Sequence, residues 1–458
     1  MKIPRVMIAA TRAKSGKTLI SCAIMSAFVK LGLKVQPFKV GPDFIDPSYH
    51  SIVTKSPSRN LDSYMFSRGR LMWAFASQAA KADVSVIESV FGLYDSPDGV
   101  SERGSSAEVA KLLACPVILI VDAERTNRSL LATVQGFRTF DPNVKIKGII
   151  LNRIGTRRQE EKIRAAVHAI VPDIEILGTV PRSAIIEEQF KYRHLGLVPT
   201  SERTRELEQL KNTIAATANH LDIISIRNIA QTTEDLVLPE PQKETPTRRD
   251  VVVGVIRDKA FSFYYPENLE YLETNASQVH YIDSCVDSEL PDIDLLYIGG
   301  GFPEVYAAEL QKNEKLMESI RKSWSTGMHI YAECGGLMYL ASSIVDTDGK
   351  AHKSVGLIKG VVHVEEVPVG HGYVRLQTTL PNPLAMPGTE LVGHEFHHSR
   401  LELAHKPVFA FQVLRGHGID GVHDGILRER LIAMYTHLHV HHNPSLFDNL
   451  LVSASHRN

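Results

Sequence analysis

The feature that most limits what this chain can fold into is an alternation. Short β-branched runs at Val6 to Ala10, Val84 to Ile87, Val117 to Val121 and Ile149 to Leu151 are separated by longer helical patterns. That order predicts βαβ units around a mostly parallel sheet. The apolar character is continuous within each run, so helices are expected on both sheet faces. Lys17 to Leu31 reads as one such helix, stopped at Gly32. The alternation fails from about Gln231 to Asp250, where proline and charge give a linker composition. It resumes at Val251 to Ile256, Leu295 to Ile298, His329 to Ala332 and Leu431 to Tyr435. The expected organisation is a first α/β domain over 1–230, a linker over 231–250, a second α/β domain over 251–445 and a tail over 446–458. A length of 458 residues suits two cores better than one.

Charge removes some functions from consideration. With 51 Lys plus Arg against 52 Asp plus Glu, there is no net field to draw the chain onto nucleic acid or an anionic membrane. The first apolar run is stopped by Thr11, Arg12 and Lys14, short of a signal peptide, and no apolar stretch reaches the length of a spanning helix. Cys22, Cys115, Cys285 and Cys334 form no C-x-x-C pair, which suits a reducing, cytoplasmic setting.

Two constellations carry chemistry. In the first, the strand Val6 to Ala10 runs through Thr11-Arg12-Ala13-Lys14-Ser15-Gly16-Lys17-Thr18 into a helix, a context in which backbone N–H groups can face phosphates. Lys17 would meet the outer phosphates of ATP and Thr18 a Mg²⁺ ion, although Thr11 stands where a P-loop has its first glycine. Thr11, Ser15, Gly16 and Asn152 complete the expected nucleotide contacts; the alternatives are a plain helix start and, for Asn152, a turn. Downstream, Lys39 to Pro47 packs a lysine, a Gly-Pro turn, Asp43, Asp46, Phe44 and Ile45 into nine positions. Thr18, Asp43, Asp46 and Glu88 offer hard oxygen ligands for Mg²⁺, while Lys39, Phe44 and Ile45 are placed toward substrate. The plainer alternative makes Asp43 and Asp46 local caps.

In the second constellation, Gly299, Gly300 and Gly301 end a strand, leaving N–H groups able to approach an oxyanion or to form a passive turn. Tyr331-Ala332-Glu333-Cys334-Gly335-Gly336-Leu337 puts a cysteine between strand and helix, where a helix dipole would lower its pKa and Gly335 would offer an N–H. His437 is the expected base and His439, at strand spacing, its orienting partner; a metal shared by His437, His439 and His441 is the alternative. His394, Glu395, His397, His398 and Ser399 form a further polar group that either lines a cleft or solvates a loop.

Several long motifs in order sharpen this reading. Val35 to Pro47, Asn60-Leu61-Asp62-Ser63, Gly299 to Glu304, Glu333 to Gly336 and Gly393 to His397 together resemble cobyrinate a,c-diamide synthase and its close relative, nickel-sirohydrochlorin a,c-diamide synthase. The resemblance implies a dethiobiotin-synthetase-like P-loop domain followed by a class I glutamine amidotransferase-like domain. It implies Cys334 as nucleophile, activated by His437, with Lys17, Thr18, Asp43, Asp46 and Glu88 serving ATP and Mg²⁺. The chain departs from the family at Ala10, Ala13 and Ser89, and His439 stands where such glutaminases usually carry glutamate. The implied activity is ATP- and glutamine-dependent amidation of the a- and c-acetates of a tetrapyrrole, in cobalamin or coenzyme F430 biosynthesis, by a homodimer. Cobyric acid synthase, the nearest alternative, carries Gln-Asn-Met-Ser where this chain has Gly41-Pro42-Asp43-Phe44. A ParA-like nucleotide switch would not need Cys334 or His437.

Overall fold

The structure is a computed structural model that describes residues 2–184, 192–193, 196–197, 206–237, 247–442 and 444–455. The chain divides into two compact units, Met1–Gln242 and Lys243–Asn458.

In the first unit, seven strands form one sheet: β1 (Arg5–Ala10), β2 (Val35–Val40), β3 (Arg59–Leu61), β4 (Val84–Glu88), β5 (Val117–Asp122), β6 (Ile146–Ile154) and β7 (Glu175–Pro181). Their order is β3-β2-β4-β1-β5-β6-β7, and every pairing is parallel. All six residues of β1 are buried, as befits a central strand covered on both faces. The pairing Ile8↔Glu88 places the carboxyl ends of β1 and β4 side by side. That edge, where the strand order reverses about β1, is where open α/β sheets hold ligands. Tyr192–Arg193 (β8) and Gly196–Leu197 (β9) pair as a separate two-stranded ribbon.

The second unit has a nine-stranded sheet. Its parallel half comprises β10 (Val252–Ile256), β11 (Gln278–Ile282), β12 (Leu295–Ile298), β13 (His329–Glu333) and, last in sequence, Leu431–Met434. A small four-stranded sheet follows β13, made of β14 (Ala341–Val345), β15 (Ala351–Lys353), β16 (Ile358–Val364) and a strand at Ser399–Leu403. The antiparallel half of the large sheet contains β17 (Gly370–Thr378), β18 (Glu390–His397), β20 (Val408–Arg415) and β21 (His423–Arg428), with β19 the Ser399–Leu403 strand and β22 the Leu431–Met434 strand. Side chains alternate across the sheet. Leu296, Ile298, Ile330 and Ala332 enter one apolar cluster, and Leu295, Tyr297 and Tyr331 enter another.

Two expected boundaries move. Residues 231–237 do not leave the first unit as linker: Leu236 is buried, Thr233 Oγ1 donates to Ile3 O at 3.1 Å, and the buried Arg5 guanidinium donates to Glu234 O at 2.9 Å. On the other side, Arg249 N donates to Asn275 O at 2.7 Å and joins the second unit. The middle of the expected linker, 238–246, lies outside the described residues. The expected tail over 446–458 is not a tail across its described part, 446–455; residues 456–458 lie outside the described residues. The helix Ser445–Ala454 buries Leu446, Phe447, Leu450, Leu451 and Ala454 against Tyr297 and Tyr331, a one-sided apolar spacing that demands a core.

Candidate active site

At the phosphate-loop end of the first unit, β1 stops at Ala10 and the helix Lys17–Lys30 begins after Gly16. Gly16 has φ 87°, and a Cβ there would stand 2.4 Å from Asn152 Nδ2, so glycine is required twice over. The first turn of this helix carries no acidic residue, which leaves its positive end open to an anion. Asn152, expected to meet nucleotide, is brought to the loop as a brace: its Nδ2 donates to Ser15 O at 2.8 Å. Ser15 Oγ turns back to Arg12 O at 2.9 Å, and Thr11 N donates to Ile120 O at 3.3 Å. Lys17 Nζ donates to Phe91 O at 2.6 Å. Burial, then the nearby Lys39 charge, bring the Lys17 ammonium down to about 8.

The carboxylates converge on Lys39 rather than on one another. Lys39 Nζ lies 2.6 Å from Asp46 Oδ2, 3.1 Å from Glu88 Oε1 and 3.8 Å from Asp43 Oδ2. Burial opposes the Lys39 charge, but Asp46, Glu88 and Asp43 outweigh it and hold the ammonium well above its ordinary range. Burial likewise opposes the Glu88 charge, yet Lys39 and His50 keep this carboxyl far below the usual carboxylate range. Lys39, expected toward substrate, is thus the buried counter-ion of the acidic cluster, and Ile45 is buried beside it at the start of the helix Ile45–Thr54. Phe44 is partly exposed. Asp43 serves two ends: Oδ1 accepts from Ile45 N–H at 2.8 Å, while burial and then Asp46 raise its carboxyl to about 8. Sequence reasoning missed His50, fully buried, whose Nε2 is 2.7 Å from Glu88 Oε2 and whose Nδ1 is 3.1 Å from Ser58 Oγ.

Thr18 Oγ1 donates to Glu88 Oε1 at 3.0 Å. Among the described residues the one three-ligand cluster tight enough to cage a cation alone is Asp258, Asp283 and Cys285, in the second unit. A nucleotide-borne Mg²⁺ needs no cage, because it keeps waters and takes one or two protein oxygens plus phosphates. The Thr18–Glu88 pair at the foot of the phosphate loop fits that requirement.

In the second unit, β13 ends at Glu333, and Cys334 turns the chain into the helix Gly335–Leu340. Cys334 has φ 47° and ψ −101°, a conformation L-residues rarely hold, as at the strained nucleophile elbow of hydrolases. Its N–H donates to Met434 O at 2.7 Å, and Sγ lies 3.7 Å from Phe396 O. The dipole was expected to lower the thiol pKa. Burial instead raises it well above the ordinary value, with Glu304 adding to this and the Gly335 N–H opposing it.

The glycines crowd this elbow. A Cβ on Gly335 would lie 3.0 Å from Gly301 N, one on Gly336 2.2 Å from Ile298 O, and one on Gly300 2.3 Å from His437 Cε1. The turn after Cys334 thus packs on Gly301, and the adjacent Gly300 packs on His437. His437 is fixed by reciprocal backbone bonds with His394, at 2.8 and 3.2 Å, and their rings stack at 4.9 Å. His394 Nδ1 is 3.0 Å from Tyr265 Oη.

The expected pairing of His437 with His439 rested on strand alternation, but β22 ends at Met434 and both histidines follow it in irregular chain. His439 accepts the His441 N–H on Nδ1 at 3.0 Å, and its Nε2 faces Glu267 Oε2 at 3.6 Å. The carboxylate opposite His437 Nδ1, at 3.6 Å, is Glu333. A shared metal at His437, His439 and His441 is not formed among the described residues. The polar group from His394 to Ser399 is buried, not solvated: Glu395 accepts the His417 and Gly418 N–H groups at 2.6 and 2.8 Å, and His397 stacks on Tyr435 at 3.7 Å.

Comparison with known proteins accounts for both halves. Residues 6–197 match the CobQ/CobB/MinD/ParA nucleotide binding domain, and residues 252–445 match the CobB/CobQ-like glutamine amidotransferase domain. The chain is 46% identical to the cobyrinate a,c-diamide synthase of Archaeoglobus fulgidus over 96% of its own length and 95% of that protein's. The chain belongs to the cobyrinate a,c-diamide synthase family. Proteins of that name from Magnetococcus marinus and Methanosarcina acetivorans are 40% and 38% identical, over 97% and 95% of this chain and 95% and 92% of theirs. Membership makes the chain a glutamine-hydrolysing ligase that joins a nucleotide-binding domain to a glutaminase domain. It also sets aside a nucleotide switch acting alone. No helix among the described residues is long and apolar enough to cross a membrane.

Proposed function

We propose that this enzyme converts the a- and c-acetate carboxylates of cobyrinate to amides, using ATP and glutamine. The reading is carried by one combination in a single chain: a strained Cys334 elbow beside His437, and a phosphate loop backed by the Thr18–Glu88–Lys39–Asp46 network. Similarity over nearly the whole length to proteins named for cobyrinate supports the choice of macrocycle.

In the second unit, His437 takes the Cys334 thiol proton as the sulfur attacks the glutamine carboxamide, and returns that proton to the departing nitrogen, which leaves as ammonia. The Gly301 and Gly335 N–H groups receive the oxyanion, and water then hydrolyses the thioester to release glutamate. In the first unit, Lys17 and the loop N–H groups orient the ATP phosphates for transfer to an acetate oxygen. Mg²⁺ bound with the nucleotide would be held by Thr18 and Glu88, with Asp43 and Asp46 at its rim, and would offset charge on the transferred phosphoryl group. Ammonia attacks the acyl phosphate, forming the C–N bond as phosphate leaves. Phe44, partly exposed, is the apolar residue of the Lys39 to Pro47 stretch left to meet substrate in this reading.

The test is to supply purified enzyme with ATP, Mg²⁺, glutamine and either cobyrinate, hydrogenobyrinate or nickel-sirohydrochlorin, and to weigh the products. Two carboxyl-to-amide conversions on cobyrinate are expected, and none on any macrocycle would overturn the reading.

A further inference from the structure

Glu333 has no role so far, although it is 2% exposed and lies one residue before the nucleophile. A buried carboxylate is costly unless its oxygens are satisfied. Here Tyr331 Oη donates to Oε1 at 2.5 Å, Leu438 N–H to Oε1 at 3.0 Å and Tyr297 Oη to Oε2 at 2.9 Å. Strand geometry builds this cradle, since Tyr331 and Glu333 share a face of β13 and Tyr297 pairs with Tyr331 across from β12. The cradle aims Oε2 at His437 Nδ1, 3.6 Å away. Catalytic hydrogen bonds are often long before substrate binds and shorten in the complex.

The surroundings leave Glu333 one decision to make. The backbone bonds to His394 fix the His437 chain, and the stacked His394 ring, inclined by 18°, fixes the imidazole plane. What remains is which ring nitrogen carries the proton, and that is set by the partner of the other. His439 is turned toward Glu267.

We infer that Glu333 is the positioning residue of His437. Its carboxylate accepts Nδ1–H, so that Nε2 takes the Cys334 proton and passes it to the leaving ammonia. Glu333 thereby fills, from the strand before the nucleophile, the place that a glutamate two residues after the histidine would occupy. The inference rests on the proposed roles of Cys334 and His437.

The test measures glutamate release by the full-length enzyme. Glu333→Gln is expected to lower kcat for glutamine hydrolysis by about 10²- to 10⁴-fold. KM for glutamine should stay within about threefold, because a group acting only through His437 does not bind glutamine. Glu333→Asp, which keeps the charge but retracts it by one methylene, should fall between wild type and Glu333→Gln in kcat, again at unchanged KM. A kcat for Glu333→Gln within about threefold of wild type overturns the inference, as does a rise in KM that accounts for the whole loss. If Glu333→Gln fails to fold, Glu333→Asp decides: a drop in kcat of about tenfold at unchanged KM supports the role, and wild-type kcat refutes it. Glutamate release that survives Cys334→Ala would instead refute the reading of the thiol.

Discussion

The two chemical ends of this molecule use one local device, a turn from a parallel strand into a helix, in opposite ways. At the phosphate loop the positive-φ residues are Lys14 and Gly16, and the proposed chemistry belongs to Lys17 and Thr18, which follow them. At the elbow the residue with positive φ is Cys334 itself. The buried charges differ as well. Around Lys39, full charges balance one another, whereas Glu333 is held mainly by hydroxyl and amide dipoles. A site that receives a polyanion can be built from ions that redistribute when the ligand arrives. A site that must keep one imidazole in one tautomer is better built from dipoles that stay in place.

The largest expected effect tests whether the two ends are separable. Cys334→Ala should abolish glutamine-supported turnover, by about 10⁴-fold or more, while ammonium salts restore ADP formation. Failure of ammonium to restore it would merge the two sites functionally.

Next comes the contrast between ions and dipoles. Lys39→Met leaves Glu88 and Asp46 without their cation and should destabilise the first unit by about 3–5 kcal/mol, read from denaturant unfolding. An unchanged midpoint would mean that the acidic cluster does not depend on this ion.

A smaller effect probes the crowded elbow. Gly300→Ala places a methyl 2.3 Å from His437 Cε1 and should lower glutaminase kcat by about 10²-fold, with ammonium-supported amidation intact.

The smallest effect concerns Lys17, whose ammonium titrates at about 8 before phosphates arrive. Phosphates favour the charged form and raise that value. Near and above pH 8, nucleotide binding should therefore take up a fraction of a proton, visible as a buffer-dependent binding enthalpy in calorimetry. Well below pH 8, Lys17 is already charged and the dependence should vanish.

Legibility in the sequence followed locality. β1, β4, β5 and β12 were readable to within a residue or so because buried parallel strands are continuous apolar runs. The β6 strand is longer than its central run, since Lys147 and Arg153 interrupt the apolar pattern. The close approaches at Gly300, Gly335 and Gly336 show why glycine stands at these strand ends, a packing reason that the sequence pattern alone does not reveal. The four-stranded sheet and the antiparallel half of the second unit were not anticipated, because their half-exposed strands carry mixed patterns and pair over long separations. The same limit hid the partners. Glu333 was in view beside Cys334, but its donors come from Tyr297, Tyr331 and Leu438, and only the folded sheet brings them together. Lys39 and His50 stood in or beside a quoted motif, yet which of its charged groups face each other depends on the turn at Gly41 and on Glu88, far along the chain.

The Arg249 guanidinium grips the Asp448 carboxylate with Nε and Nη2 at 2.7–2.9 Å, tying the entry of the second unit to its final helix. A unit whose two ends are clasped together can be cut out, transplanted or recircularised without unravelling. The glutaminase half is in that sense a cassette: a gene segment beginning near Lys243 should fold as an autonomous protein, seen as a cooperative unfolding transition of the isolated segment.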